Sequence, residues 1–331
     1  MNLTKSDQRR RRMLSHKKLT ISHAPFWHDG SSISARSYHT MLATLPAVLF
    51  GLFTYGFHAI GVVSLSISFA MIWELAINKV TKRSISLGDG NAALIGLIFA
   101  MLLPATSPWW LVITGTFVAV VIGKHIYGGI GANPFNPVLI GLAILMVSWK
   151  DFFDFDQALL NYDLDFLMVY PLAALKHLGP PGIDAFSTTD LLMGQQAGGI
   201  GATFSLGLIV GGIYLIIRGF IRWEISISFL VGVFVTALLF NMKNPSVYAG
   251  PLFHLFTGYT LIGAFFLAPE DSSSPVNFTP MLIYGAGGGI MTVLIRNVGA
   301  HIDGVVFAIL LMNLINPLID KIRPKALGKV V

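Results

Sequence analysis

The chain has 331 residues, of which 54% are hydrophobic and only 11% charged, against about 25% charged in ordinary soluble domains. A mean hydropathy of +0.71 and long apolar runs exclude a soluble multidomain enzyme, and the net charge of +6 sits at the ends and in short connectors, which excludes nucleic acid as a partner. With no cysteine, the chain offers no disulfide, thiolate nucleophile, cysteine-ligated zinc or iron–sulfur cluster.

Residues 1–40 are polar and basic, with Arg9 to Arg12 in a row and no apolar signal core. They read as a tail. Ten apolar stretches near bilayer-spanning length follow: 41–57, 59–77, 91–107, 109–123, 136–149, 204–221, 226–242, 251–268, 279–295 and 302–319. They predict an all-α polytopic membrane protein, with the lipid bilayer as its solvent. Two five-helix halves, 41–149 and 204–320, flank a long loop at 150–203, and 321–331 form a second tail. Several stretches are short or hold glycine and proline, which is tolerated only inside a bundle or beside a cavity.

Lysine and arginine set the orientation. With the N-terminus in the cytoplasm, 18 of the 22 basic residues fall on inner segments, and only Lys150, Lys176, Lys243 and Arg296 fall outside. Both termini are then cytoplasmic. The 150–203 loop, acidic through Asp151, Asp154, Asp156, Asp163, Asp165, Asp184 and Asp190, is extracytoplasmic. The halves also echo each other. Leu94-Ile95-Gly96 precedes Pro108 as Leu261-Ile262-Gly263 precedes Pro275, each triplet in the third stretch of its half. Five is odd, so the second half enters from the opposite side, the mark of an inverted repeat with its site between the halves.

Polar residues at membrane depth are the functional candidates. Glu74 is the one carboxylate inside an apolar run, with Lys79 five residues on as a snorkelling partner. Asp89, in Gly88-Asp89-Gly90-Asn91, either caps a helix or opens a polar site at its start. The run from Gly123 to Pro137 holds Gly129, Asn133 and Asn136 and cannot form a continuous helix; it reads as a broken segment lining a cation path or a flat polar cofactor. Asn313, Asn316 and Pro317 are expected to break the tenth stretch likewise. Arg296 and Asp303 flank a short loop and can pair. Asp184-Ala185-Phe186-Ser187-Thr188-Thr189-Asp190 and Gly198-Gly199-Ile200-Gly201-Ala202-Thr203 place hydroxyls in loops, where such residues also cap helices. His58 and His254 lack a second histidine placed for haem, and no metal set or catalytic group is expected.

These segments resemble the RnfD/NqrB family, the large membrane subunits of the Rnf complex and of the sodium-pumping NADH:quinone oxidoreductase. The resemblance runs from about Ile21 to Asp320. It rests on Asp89-Gly90-Asn91-Ala92-Ala93, on Tyr127-Gly128-Gly129-Ile130-Gly131-Ala132-Asn133-Pro134-Phe135-Asn136-Pro137, on Gly263-Ala264-Phe265-Phe266 and on Asp303 to Asn313. The length is closer to RnfD. The resemblance implies ten helices in two inverted halves, similar to urea and ammonium channels. It implies a bacterial inner-membrane location and partner subunits, membrane and peripheral, that carry flavin and Fe–S. The chain would relay electrons and couple them to Na+ or H+ passage, without catalysing a complete reaction alone. The expected path is lined by Glu74, Asp89, Gly129, Asn133, Asn136, Asp303 and Asn313. A stand-alone channel for a small polar solute is the alternative.

The resemblance also implies FMN joined to a threonine by a phosphoester on the outer face, with riboflavin as a second flavin. In the family motif, Asp-x-x-Ser/Thr-Gly/Ser-Ala-Thr, Asp184 and Ser187 match the first and fourth positions, and Thr188 stands at the fifth. Thr189 then stands at the alanine and Asp190 at the acceptor. Attachment is therefore expected through Thr188 or Thr189 or not at all, with Thr203 as the other acceptor. Ala202-Thr203 matches the motif's end, but Ala197 replaces its aspartate.

Overall fold

The computed structural model describes residues 32–158, 162 and 166–322. Arg9 to Arg12, Asp163, Asp165, Arg323, Lys325 and Lys329 lie outside them. Every regular element among the described residues is helical, and none is a strand.

Helix α1 (Ile33–Val80) covers the first two apolar stretches. Gly56, at φ 61° and ψ −141°, breaks it in the middle, a conformation closed to residues with a Cβ. Helix α2 (Asn91–Leu102) stops five residues before the end of its apolar stretch, because Leu103 is extended ahead of Pro104. Helix α3 (Trp109–Phe117) starts after Pro108 and widens into a π-helical stretch at Val118–His125. Helix α4 (Pro137–Ser148) begins with proline in its first turn and is capped by Asn136, whose Oδ1 accepts from the amides of Val138 and Leu139 at 2.9 and 3.3 Å. The second Asn-Pro pair thus reads as a helix start.

The long loop carries three short helices: α5 (Phe155–Ala158), α6 (Pro171–Leu178) and α7 (Thr188–Met193). Then come α8 (Ser205–Ile217) and α9 (Trp223–Lys243). The eighth apolar stretch is broken into α10 (Pro251–Phe256), an extended Thr257, and α11 (Thr260–Ile262), which runs into a π-helical Gly263–Leu267. Gly258, at φ 63°, makes the corner. Helices α12 (Phe278–Asn297) and α13 (Val305–Ile319) complete the bundle. The expected break at Asn313, Asn316 and Pro317 is absent: α13 continues through Pro317 to Ile319. The carbonyl four residues before that proline belongs to Asn313, so a proline two residues from the helix end disturbs only the last turn.

Helices α1, α9 and α12 are long and apolar enough to cross a membrane, and α2, α3, α4, α8 and α13 are shorter apolar helices. The bundle is packed through small residues. An added Cβ at Gly289 would stand 2.2 Å from Phe229 O, and one at Gly232 2.6 Å from Ala286 O, so α9 and α12 pack backbone to backbone. Large apolar side chains face outward, Phe53 and Phe57 among them, as a lipid-facing surface requires. The elements define two ends. A short-loop face carries 81–90, 126–136 and 268–277, and a long-loop face carries 149–204 and 298–304.

Candidate functional site

The two interrupted helices meet in the middle of the bundle. The Tyr259 hydroxyl, in the corner of α10–α11, donates to Leu102 O at the end of α2 (2.7 Å). A helix end leaves carbonyls without partners, and here other segments satisfy them. Ile200 N donates to Leu103 O and Gly201 N to Met101 O, at 3.0 and 2.9 Å. Gln196 Nε2 and Ser205 Oγ both donate to Phe256 O, at 2.8 and 3.2 Å. Arg296 and Asp303, both buried, hold the corner itself. They pair at 2.9 Å, as the sequence allowed. Arg296 donates to the carbonyls of His254 and Thr257 (2.9 and 3.2 Å), and Asp303 Oδ2 accepts from Tyr259 N (2.7 Å). Asp303 is thereby tied to the fold at the long-loop end, away from the other residues expected to line a path.

On the short-loop side, a cavity of about 140 Å³ lies among Arg36, Asn91, Lys124, Asn133, Asn136 and Glu270, over a floor that includes Leu94, Ile98 and Phe265. Asn133 Nδ2 donates to the Glu270 carboxylate at 3.3 Å. Ser273 anchors Glu270 Oε2 through its amide and hydroxyl at 3.0 and 2.6 Å. Asn136 Nδ2 donates to Leu267 O at 3.0 Å, and the Asn136 backbone N–H donates to Asn313 Oδ1 at 3.4 Å. Asn133, Asn136 and Asn313 are therefore brought together, with Glu270, which sequence reasoning passed over because it lies just beyond an apolar stretch. Asp89 stands apart: its Oδ1 accepts from Asn91 N at 2.8 Å, the capping alternative. Gly129 is also off the cavity, at φ 105°, and the nearest atom to an added Cβ is Arg83 Nη1 at 3.7 Å. A close backbone approach occurs at Gly123, where an added Cβ would lie 2.9 Å from Pro137 Cα.

Beside the cavity, Glu74 is buried with Lys124 and His125. Lys124 Nζ and His125 Nε2 both lie 2.8 Å from its Oε2. Ser86 Oγ donates to Oε1 at 2.5 Å and is itself held by Asn78 at 2.8 Å. Lys79 is not the partner. Five residues at 100° each carry it about 140° around the helix from Glu74, onto the exposed side.

The long-loop face holds a larger cleft of about 320 Å³ lined by Phe153, Phe155, Tyr170, Tyr259, Lys150 and Lys176, among others. Its size falls in the small-molecule range of about 300–1,000 Å³, which the short-loop cavity does not reach. Its aromatic walls suit a flat ring, and its rim is of mixed charge, with Asp151 and Asp154 beside Lys150 and Lys176. Partial desolvation pushes the still exposed His301 below its ordinary pKa, with Lys176 and Lys150 acting in the same direction. Burial pushes Asp156 up, partly offset by the hydrogen bond it accepts from Tyr170 N.

The hydroxyls of the two loops fare differently. Asp184, Ser187, Thr188 and Thr189 are exposed. Ser187 caps α7, accepting from Asp190 N at 3.1 Å, and its Oγ lies 2.8 Å from Thr189 Oγ1. Thr203 is buried, and its Oγ1 has no hydrogen-bond partner. Neither does Gln196 Oε1, nor the hydroxyl of Tyr55, which points at the Gly198 backbone. The space among Tyr170, Gln196, Gly198, Thr203 and Tyr259 has no room for a water molecule, and each unpaired buried group costs about 1–3 kcal/mol. Tyr170 and Tyr259 line both this space and the 320 Å³ cleft. Thr203 itself does not line the cleft. Among the described residues no three histidine or acidic side chains are grouped to hold a metal ion.

A family model described as the NQR2, RnfD, RnfE family matches residues 20–328. The chain is 36% identical over 309 residues to the D-type subunit of the proton-translocating ferredoxin:NAD(+) oxidoreductase complex of Clostridium ljungdahlii, covering 91% of this chain and 93% of that one. It is 33% identical over 310 residues to the D-type subunit of the Na(+)-translocating ferredoxin:NAD(+) oxidoreductase complex of Acetobacterium woodii, covering 93% and 94%. It is 32% identical over 348 residues to the D-type subunit of the ion-translocating oxidoreductase complex of Aliivibrio salmonicida, covering 93% and 98%.

Proposed function

The chain belongs to the NQR2, RnfD, RnfE family, and we infer from that membership that it is the D-type membrane subunit of an ion-translocating oxidoreductase complex, working with the other subunits of that complex. We read its helices as ten spans in two inverted five-helix halves of the urea and ammonium channel kind, with both termini in the cytoplasm of a bacterial inner membrane. The meeting of the two interrupted helices through Tyr259 and Leu102 carries this reading. In this reading the long-loop cleft lies at the outer end and the short-loop cavity at the inner end.

The two ends suit different cargoes. The outer cleft suits the flat ring of a flavin, with Thr203, whose buried hydroxyl has no partner, as the acceptor proposed for its attachment; a flavin bound there supplies one-electron relay between partner subunits. Phe155, Tyr170 and Tyr259 would flank the ring, and Lys150 and Lys176 would favour its reduced, more negative forms. The inner cavity, with room for a cation and a few waters at about 30 Å³ each, fits the ion. Asn133 Oδ1 and the Glu270 carboxylate offer the oxygen ligands that a hard monovalent cation takes. A riboflavin there would need a wider cavity. The two relatives that name different ions, H+ and Na+, leave the ion to be measured. The reading is tested by purifying the chain with its native partners, reconstituting the complex in vesicles and following ion uptake during ferredoxin:NAD(+) turnover. Coupled uptake that is lost when this chain is deleted supports the reading. A colourless homo-oligomer that conducts a solute without redox turnover overturns it in favour of a stand-alone channel.

A further inference from the structure

The wall of the short-loop cavity carries four charged side chains: Arg36, Lys124, Glu270 and Asp271. Each of the two cations has a carboxylate of its own. Lys124 pairs with Glu74, which stands outside the cavity wall, and Arg36 Nη1 pairs with Asp271 Oδ2. Glu270 is left over. Among the described residues its hydrogen bonds come from neutral donors alone, Asn133 Nδ2 at 3.3 Å and the amide and hydroxyl of Ser273. The wall therefore holds one negative charge that no cation within pairing distance balances. Arg36 is the nearest rival for it. Its guanidinium clasps the connector on both sides of Glu270, through Asp271 and through a hydrogen bond from Nη2 to Pro269 O at 3.4 Å. It is drawn by the charge of Glu270 and repelled by that of Arg222. The side chains of Asp271 and Arg36 are 64% and 30% exposed, whereas Asn133 and Lys124 are buried, so the pair stands at the open end of the cavity.

We propose that Arg36 is a tethered competitor of the transported cation for Glu270, and that Asp271 sets the cation affinity of the cavity by holding Arg36 at the mouth. The proposal rests on the reading of this cavity as the ion site. With Asp271 ionised, the guanidinium is neutralised where it stands and Glu270 is open to one monovalent cation. Without that carboxylate, Arg36 keeps its charge, since a guanidinium does not give up its proton, and Glu270 becomes the carboxylate it faces. Guanidinium and cation then exclude each other. Asp271 acts on the ion only through Arg36, and this separates the proposal from simple attraction of cations to an acidic surface, in which Asp271 would act alone.

The test uses the whole complex in vesicles during ferredoxin:NAD(+) turnover and reads the cation concentration that half-saturates coupled uptake. The probe is radioactive sodium, or a pH-sensitive dye where uptake needs no sodium. The two single variants are expected to move this concentration in opposite directions. Asp271→Asn raises it by up to about fivefold, the scale of one partly exposed ion pair, and Arg36→Gln lowers it by a similar factor. Asp271→Glu, which keeps the pair, stays near the wild type. The double variant Arg36→Gln with Asp271→Asn behaves as Arg36→Gln alone, because no guanidinium is left to hold. Opposite shifts with that double-variant result support the proposal. Wild-type half-saturation in both single variants overturns it, and so does a double variant in which the effect of Asp271→Asn persists undiminished. Glu270→Gln keeps the two failures apart. If that variant takes up the cation with wild-type half-saturation, the reading of the cavity as the ion site falls. If it loses uptake while Arg36→Gln and Asp271→Asn match the wild type, only the competition by Arg36 falls.

Discussion

Replacing Lys124 with methionine removes one partner of the ion pair at the core of the short-loop side and leaves Glu74 with His125 and Ser86. Glu74 and Lys124 are both 1% exposed, and the pair stands at 2.8 Å, so solvent cannot compensate for the loss. Breaking such a pair from one side costs about 3–5 kcal/mol, most of it the penalty of a buried charge without its counterion. At about 2 °C per kcal/mol for a chain of this size, Lys124→Met lowers the thermal midpoint of the detergent-solubilised complex by roughly 6–10 °C, compared at one scan rate because unfolding of such assemblies is rarely reversible. Glu74→Gln lowers it by a similar amount. In the double variant the introduced glutamine still accepts from Ser86 and the introduced methionine fills the lysine's volume. It recovers most of the loss, with a coupling of about 2–3 kcal/mol. Single-variant shifts under about 2 °C, or a double variant whose loss is the sum of the singles, would refute the buried triad as drawn.

On the long-loop face, partial desolvation and the nearby Lys176 and Lys150 favour neutral His301, so a small contribution to stability, screened because the ring is exposed, is present above the ordinary histidine pKa and is lost as pH falls below it. The thermal midpoint of the complex is expected to fall more steeply between about pH 7.5 and 5.5 in the wild type than in His301→Gln; parallel curves contradict it. Asp156 has the opposite sense. Its raised pKa means that stability declines as pH climbs out of the ordinary carboxylate range, so Asp156→Asn, which keeps the acceptor for Tyr170 N, should stabilise the loop at neutral pH. Slower proteolysis of the 150–203 segment checks this. Gly129→Ala should cost about 1–2 kcal/mol from its left-handed φ alone, and Gly123→Ala more, because its Cβ meets Pro137 backbone at 2.9 Å. Equal thermal midpoints for the two variants count against that ranking. Arg296→Lys keeps the charge but loses the fork that reaches His254 O, Thr257 O and Asp303 at once, and is expected to release the α10–α11 corner, read as faster hydrogen exchange at Tyr259.

Much of this architecture is legible in the sequence because the bilayer imposes it. All ten apolar stretches contain helix, and the breaks at Leu103-Pro104 and Asn136-Pro137 follow from proline's effect on its neighbours. The Gly258 corner was hidden, since a single glycine in an apolar run is ordinary, and only Arg296 and Asp303 donating and accepting into it reveal it. Asn133, Asn136 and Asn313 could be named but not joined, because their meeting depends on Glu270 and Ser273 from another segment. Lys79, near Glu74 in sequence, lies about 140° around the helix from it, whereas Lys124, fifty residues away, is the partner: sequence distance is a poor guide to partners in a bundle. The hydroxyl loops show a further difficulty. Asp, Ser and Thr are the residues of helix caps and of the flavin motif alike, so Ser187 could match both. The orphaned Thr203, Gln196 and Tyr55 carry no local signal, for lacking a partner is a property of the packed chain.

The most direct measurement is a peptide map of this chain taken from the native complex. A peptide spanning Gly194 to Tyr214 that carries the mass of an FMN phosphoester, with fragmentation placing it on Thr203, is the result expected, together with an unmodified peptide containing Ser187, Thr188 and Thr189. An unmodified Thr203 peptide, or FMN found on Thr188 or Thr189, would contradict the assignment of the outer cleft as the flavin site.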